Sequence, residues 1–172
     1  MSPILHFRKQ LICPPVAAEV AGISVRTVQL PEDISGWLAL RERAMAGERP
    51  VARPWSEADF HAEMTAKPWW RAEHSWVAVS QEGGGGSNAL VGAVTLAERS
   101  GREGDVAVVH WLLVDPQQRR RGVGRSLVQQ LECAAWDAGW RELQLETHVG
   151  WMAAVAFYQS MGYASLRERS PR

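Results

Sequence analysis

A cluster of arginines and glycines in the middle of the chain has the residue types that bind phosphate. Arg119-Arg120-Arg121-Gly122-Val123-Gly124-Arg125 follows an apolar stretch and opens a segment with helical periodicity. The first amides of a helix have no intrahelical acceptor, and the helix dipole adds positive charge there, so a helix start can bind an anion. Glycine lets a phosphate approach the backbone closely, and arginine adds charged, bidentate donors. These residues predict a phosphate or diphosphate site.

The same residues have other interpretations. Taken alone, a run of arginines is more often a solvated surface or a nonspecific nucleic-acid patch. Two common phosphate motifs do not fit, because no Lys-Ser/Thr follows the second glycine as in a P-loop, and no G-x-G-x-x-G is present as in a dinucleotide fold. A phosphate-binding helix start of another kind remains possible for these residues. The predicted strands and helices around them distinguish this interpretation from a surface patch.

The segments around the arginines alternate between strand and helix patterns. Val106 to Val114 is the most apolar stretch and predicts a central strand. Apolar residues at helical spacing from Val123 predict a helix that ends at Gly139. We expect the four glycines at 83–86 to form a flexible hairpin loop. Further strands are predicted at 23–29, 76–79, 89–96, 143–147 and 163–166. Further helices are predicted after Pro31, from a capping box of Ser56 and Asp59 to before Pro68, and at 152–161, where Gly162 ends the helix.

Composition limits the classes of function. The 172 residues are 46% apolar, which predicts one domain over 22–172, preceded by an N-terminal extension at 1–21. Nineteen basic residues balance nineteen acidic ones, so we expect neither nucleic acid nor a membrane surface as a partner. The two cysteines form no metal-ligand or disulfide pattern. Without a spanning segment or a signal peptide, the chain is expected to be cytoplasmic.

A second group of residues makes a family resemblance specific. Two landmarks occur in order, with room for a helix and a strand between them: Val114-x-Pro116 with Arg119-x-x-Gly122-x-Gly124, and Ala154 with Phe157-Tyr158 and Gly162-Tyr163. Together they resemble the landmarks of the GNAT superfamily of acetyl-CoA-dependent N-acetyltransferases. The resemblance covers roughly residues 22–168 and is strongest from 106 to 163.

The resemblance implies a fold and an activity. The implied fold is the three-layer α/β (α+β) GNAT fold, a mixed, mostly antiparallel sheet of six or seven strands with about four helices on its two faces. The sheet is expected to splay between the family's fourth and fifth strands. The implied reaction transfers an acetyl group from acetyl-CoA, without a metal, to a small-molecule or peptide amine by direct attack in a ternary complex.

The resemblance also assigns the acetyl-CoA site. The pantetheine arm is expected to lie like an added strand along Leu112, Leu113 and Val114, where backbone amides can hold the thioester carbonyl. The diphosphate is expected on the helix start that follows. The residues assigned to it are Arg119, Arg120, Arg121, Gly122, Val123, Gly124, Arg125 and Ser126.

An amine acceptor requires a route for its proton. An alkylammonium has a pKa near 10.4, so only about one molecule in a few thousand is neutral at pH 7. His110 is the first candidate base, because its ordinary pKa suits neutral pH and arylalkylamine-type members carry a histidine there. Glu146 and His148 are the alternatives, since Val108 stands where many members have a glutamate. Packed or solvated structural roles also fit all three candidates.

Aromatic residues complete the expected site. The resemblance makes Tyr158 the acid that protonates the departing thiolate, although an aromatic core role also fits. Trp151 stands where the family commonly has an asparagine, so an indole replaces a side chain that hydrogen-bonds to pantetheine. We assign Trp37, Trp55 and Trp151 to the acceptor pocket; tryptophans on helices equally often form a core.

The chain departs from the family pattern at its end. Only nine residues follow Tyr163, too few for the family's final turn and strand. We expect Ile4 to Ile12 to pair in that place, within its own chain or across a homodimer, because an unpaired edge invites pairing. Two other functions remain open, a non-catalytic acetyl-CoA sensor of the same fold and a nucleic-acid-binding protein that uses the arginines.

Overall fold

The fold is built on a seven-stranded sheet with the strand order β2-β3-β4-β5-β6-β1-β7. The computed structural model describes residues 4–48, 52–81, 89–101 and 104–166, so the glycine run predicted to form a hairpin loop lies outside the described residues. The strands are β1 Ile4–Gln10, β2 Ile23–Thr27, β3 Ser75–Ser80, β4 Leu90–Gly101, β5 Gly104–Val114, β6 Glu142–His148 and β7 Ala164–Ser165. Neighbouring strands are antiparallel except β5 and β6, which are parallel.

In the described part of the chain, four α-helices cover the sheet. They are α1 Ile34–Met45, α2 Glu57–Phe60, α3 Val123–Asp137 and α4 Met152–Ser160. The capping box predicted at Ser56 is confirmed, because its hydroxyl accepts from the Asp59 amide at 3.2 Å and the Asp59 carboxylate accepts from the Ser56 amide at 2.8 Å. Short π and 3-10 turns follow at His61–Thr65, Ala72–His74 and Pro116–Gln118. No helix within the described ranges is both long enough and apolar enough to cross a membrane.

The N-terminal strand lies inside the sheet, between β6 and β7. Seven residue pairs join β1 to β6, from Ile4 with His148 to Gln10 with Glu142. On its other side β1 pairs with the two residues of β7. The segment therefore lies beside β6 within its own chain. The division of the sequence at residue 21 stays a prediction.

Two hydrophobic clusters pack on the two faces of the sheet. Alternate residues of β3 belong to different clusters, with Trp76 in one and Val77 in the other. The first cluster contains α3 and α4, and the second contains α1 and α2. This arrangement of a mixed, mostly antiparallel sheet between helices confirms the predicted fold class.

The sheet opens between β5 and β6. These strands pair only at Ala107 with Leu143 and at Val108 with Gln144, although both continue further. A bulge lies opposite β4 in the same region, where the register shifts and Trp111 has a φ of 50°. Bulges bend the strand that carries them, so the end of β5 leaves the line of β6.

Candidate active site

A cleft of about 800 Å³ lies where β5 and β6 separate. Its walls are the last turn of α1 with Glu48, residues 112–114 of β5, the start of α3, and residues 150–158 with α4. Most of the wall is apolar, and the charged side chains are concentrated at the α3 end. The cleft therefore combines an apolar channel with a cationic end.

The start of α3 presents backbone amides at the cationic end. Ser126 is the first residue whose amide donates within the helix, to the Gly122 carbonyl at 2.9 Å. The amides of Val123, Gly124 and Arg125 therefore have no intrahelical acceptor. No hydrogen bond formed by the described residues uses these three amides as donors. They are available to an anion in the cleft.

Each of the two glycines at this helix start has its own structural reason. Gly122 has a φ of +89°, a conformation that L residues rarely adopt. A Cβ on Gly124 would lie 3.3 Å from Val114 Cγ2 and 3.5 Å from Phe157 Cζ. Glycine at 124 therefore lets α3 pack closely on β5 and α4. This packing role comes in addition to the phosphate approach expected from the sequence.

The loop before α3 is fastened to α1. The Asp115 carboxylate accepts from the Gln117 amide at 2.9 Å and from Arg43 Nε at 2.7 Å. Burial alone would raise the pKa of Asp115, but these two donors outweigh it and hold the pKa below its ordinary value. Arg119 Nη2 donates to the Ala44 carbonyl at 3.0 Å, at the last turn of α1. These contacts fix the turn that aims the α3 amides.

Most of the predicted cofactor residues border the cleft. They are Leu112, Leu113, Val114, Arg119, Arg120, Gly122, Gly124 and Arg125. The side chains of the other three point elsewhere. Arg121 donates to Gln118 Oε1 at 2.6 Å, Val123 is buried in the core, and Ser126 Oγ donates to the Ala18 carbonyl at 2.6 Å. Any contribution of Val123 to ligand binding would come from its amide.

Tyr158 reaches the cleft from α4. Its ring packs against Phe157 and Tyr163, with centroids at 5.3 and 5.8 Å. Burial raises the pKa of the Tyr158 phenol well above its ordinary value. The hydroxyl is therefore protonated at neutral pH and can donate.

None of the three candidate bases lines the cleft. The His110 ring packs against Trp69 at 4.7 Å, and its Nδ1 lies 3.4 Å from Arg99 Nη2. Burial, together with the charge of Arg99, lowers the pKa of His110 to about 4. Glu146 is exposed on β6 beside His6, and His148 Nδ1 accepts from the Gly150 amide at 3.0 Å. The structure therefore gives none of them the position that the sequence suggested.

The tryptophans divide between core and cleft. Trp151 lines the cleft, whereas Trp37 is only 3% exposed and packs among Trp55, Trp111 and Phe60. Trp55 is half-buried before α2, packs against the same core cluster and is also absent from the cleft wall, so neither residue has the pocket position expected. The cleft residues Met45, Glu48 and Met152 were not anticipated, because nothing in their local pattern separates them from ordinary surface residues.

Known proteins resemble the chain closely enough to identify its family. Residues 37–163 match the acetyltransferase (GNAT) family. The chain belongs to the GNAT family. The family predicted from the two sequence landmarks is thereby confirmed. GNAT proteins use acetyl-CoA.

Individual relatives agree with this GNAT assignment. A mycothiol acetyltransferase of Thermobispora bispora is 28% identical over 162 residues, which are 92% of this chain and 52% of that protein. A GCN5-related N-acetyltransferase structure from Sphaerobacter thermophilus has a TM-score of 0.72 at 22% identity, over 95% of this chain and 48% of that one. The NatC complex bound to Gag peptide and CoA has a TM-score of 0.64 at 19% identity, over 84% of this chain and 86% of that one. The chain spans about half the length of the first two.

Replacing Gly122 with alanine should weaken CoA binding about tenfold or more. A Cβ at this φ costs about 1–2 kcal/mol, and relief of that strain moves the first amides of α3. Gly139→Ala is the matched control, because its φ is +94° and it lies at the other end of α3, away from the cleft. Both variants should lose similar unfolding free energy, whereas calorimetry should detect weakened CoA binding only for Gly122→Ala. Equal CoA affinities in the two variants would contradict the assignment.

Proposed function

We propose that this chain is an N-acetyltransferase that moves an acetyl group from acetyl-CoA to a primary amine by direct attack in a ternary complex. The observation that carries the proposal is that one cleft is bordered by the start of α3, where three helix amides are available, and by a protonated tyrosine, Tyr158. The amides suit a diphosphate, and the phenol suits a thiolate leaving group. Membership of the GNAT family and the names of the relatives support this chemistry.

Different residues of the cleft bind different parts of CoA. The α3 amides and the guanidinium groups of Arg120 and Arg125 take the diphosphate. Leu113 and Val114 pair with β4 on one edge, and residues 112–114 leave the edge toward β6 for the amide groups of pantetheine. Trp151 and Phe157 close the apolar side. An indole at 151 thus provides packing where the family commonly has a hydrogen-bonding side chain.

Tyr158 assists the departure of the thiolate. Acetyl-CoA supplies the thioester carbonyl carbon, to which the amine nitrogen bonds as the carbon–sulfur bond breaks. The Tyr158 hydroxyl donates a hydrogen bond and then its proton to sulfur. The attacking nitrogen releases one proton to solvent as the amide forms, and the phenolate regains one proton from solvent. The apolar surroundings disfavour a thiolate just as they disfavour a phenolate, so burial does not by itself oppose the transfer.

The acceptor reaches the thioester as the neutral amine, with its proton lost to solvent. The pKa of His110 is about 4, roughly six units below that of an alkylammonium. Direct transfer from the ammonium to His110 would therefore cost roughly 8–9 kcal/mol, about twice the cost of binding the neutral amine from solution at pH 7. Glu146 and His148 lie outside the cleft wall as well.

A two-stage assay tests the proposed function. Thermal shift with CoA and acetyl-CoA comes first, followed by free-thiol release with an alkylamine, an arylalkylamine, an aminoglycoside and a peptide with a free N-terminus. We expect stabilisation by both cofactor forms and thiol release with at least one amine. Stabilisation without thiol release across the panel would favour the sensor function.

Tyr158→Phe should lower turnover about 100-fold or more and leave acetyl-CoA affinity within about twofold. Phenylalanine keeps the ring that packs on Phe157 and Tyr163, so only the hydroxyl is lost. Steady-state kinetics and calorimetry with acetyl-CoA measure the two effects separately. An unchanged turnover would remove Tyr158 from the mechanism.

The pH dependence separates the neutral-amine route from catalysis by His110. With the active amine, kcat/KM should rise with pH until the pKa of that amine, because only its neutral form attacks. His110→Gln should keep this slope and midpoint, since a group with a pKa of about 4 is already neutral over the range. A roughly 100-fold loss in His110→Gln, or a flat wild-type profile, would restore His110 as the base.

A further inference from the structure

A buried ionic cluster lies outside the cleft and takes no part in the chemistry described above. Glu132 of α3 is 2% exposed, and Lys9 Nζ of β1 donates to both of its carboxylate oxygens, at 2.7 and 2.9 Å. The Tyr163 hydroxyl donates to Glu132 Oε1 at 3.0 Å. The three residues come from β1, from α3 and from the segment after α4. The cluster therefore joins parts of the chain that are distant in sequence.

A backbone hydrogen bond at the end of α4 also joins Tyr163 to Tyr158. The Tyr163 amide donates to the Tyr158 carbonyl at 3.0 Å, and the Gly162 amide donates to the Gln159 carbonyl at 3.0 Å. Gly162 has a φ of +88°. These bonds form a Schellman motif, in which the residue after the left-handed glycine also contacts the third residue from the helix end. Here that contact joins the two tyrosine rings at 5.8 Å.

We propose that Lys9, Glu132 and Tyr163 are positioning residues that hold the Tyr158 ring at the angle its hydroxyl needs in the cleft, which rests on the proposed role of Tyr158. The hydroxyl of an acid must remain free for sulfur, so its ring has to be held by other contacts. Tyr163 holds both the backbone and the ring of Tyr158, and Glu132 holds the hydroxyl of Tyr163.

The N-terminal strand provides the cation that completes this arrangement. Lys9 Nζ lies 5.5 Å from the centre of the Tyr163 ring, and its Cε lies 3.7 Å from where a Cβ on Gly162 would be. A buried ion pair adds little stability compared with apolar residues of the same size, but it restricts the geometry of its partners. Correct placement of Tyr158 therefore depends on the pairing of β1 with β6.

A pair of double variants separates positioning from stability. Lys9→Met/Glu132→Leu replaces the ion pair with apolar side chains and removes the acceptor for the Tyr163 hydroxyl. Lys9→Met/Glu132→Gln removes the same charges but keeps a side-chain oxygen that accepts the hydrogen bond. Lys67→Met, which breaks an exposed ion pair with Glu63, is the control for loss of a lysine. Thermal unfolding of each variant shows that it is folded.

The chain has only two tyrosines, so tyrosine labelled with 13C at Cζ gives two NMR signals. Tyr163→Phe assigns the signal of Tyr158. We expect a sharp Tyr158 signal that shifts when CoA is added in the wild type, in Lys67→Met and in Lys9→Met/Glu132→Gln, here called the Gln variant. In Lys9→Met/Glu132→Leu, here called the Leu variant, and in Tyr163→Phe, the Tyr158 signal should be broader and should shift less when CoA is added. The proposal is overturned if the Leu and Gln variants give the same Tyr158 signal, with and without CoA.

A double-mutant cycle on thiol release gives the second readout. Tyr163→Phe should lower kcat about tenfold with KM for acetyl-CoA nearly unchanged, and this effect should vanish in a Tyr158→Phe background. If Tyr163→Phe lowers kcat by the same factor in the wild type and in Tyr158→Phe, Tyr163 does not act by positioning Tyr158. If Tyr158→Phe alone leaves kcat unchanged, the proposed acid fails, whereas the NMR signals of the CoA-free variants still decide whether the cluster holds its ring.

Discussion

Three backbone amides at the start of α3 must be held still while their hydrogen-bonding capacity stays free for a ligand. The turn before Val123 satisfies this requirement because Asp115 is fixed by Arg43 and Arg119 is fixed to the last turn of α1. Gly122 completes the turn in a left-handed conformation. Behind the helix start, Gly124 allows close packing on β5 and α4. The cationic end of the cleft and the packing of its β5 and α4 walls therefore depend on one helix start.

The sheet accommodates the cleft without leaving β6 unsupported. β5 and β6 share only two residue pairs before they separate, so β6 loses most of its partner on that side. On the other side, β1 pairs with all seven residues of β6. The N-terminal strand thus holds β6 in the sheet from its other edge. Through Lys9 it also reaches the end of α4, which carries Tyr158.

The features that could be predicted from the sequence are those decided within a few residues. The helix start at Gly122, the capping box at Ser56 and the left-handed ends at Gly139 and Gly162 all belong to this group. The pairing of β1 with β6 was expected because an unpaired strand edge invites pairing. The other six described strands were predicted from apolar runs and alternation, although β2 and β7 are shorter than predicted and β4 is longer.

What could not be predicted depends on contacts between distant residues. The low pKa of His110 results from burial, to which Trp69 contributes, and from Arg99, and neither residue is marked by the spacing around position 110. Helical spacing cannot tell a core tryptophan such as Trp37 from a cleft tryptophan such as Trp151. Amide NMR during titration with CoA tests the central claim most directly. The amide signals of Val123, Gly124 and Arg125 should shift far more than those at the start of α1, and excess pyrophosphate should compete. CoA binding that leaves these three signals unmoved would contradict the account.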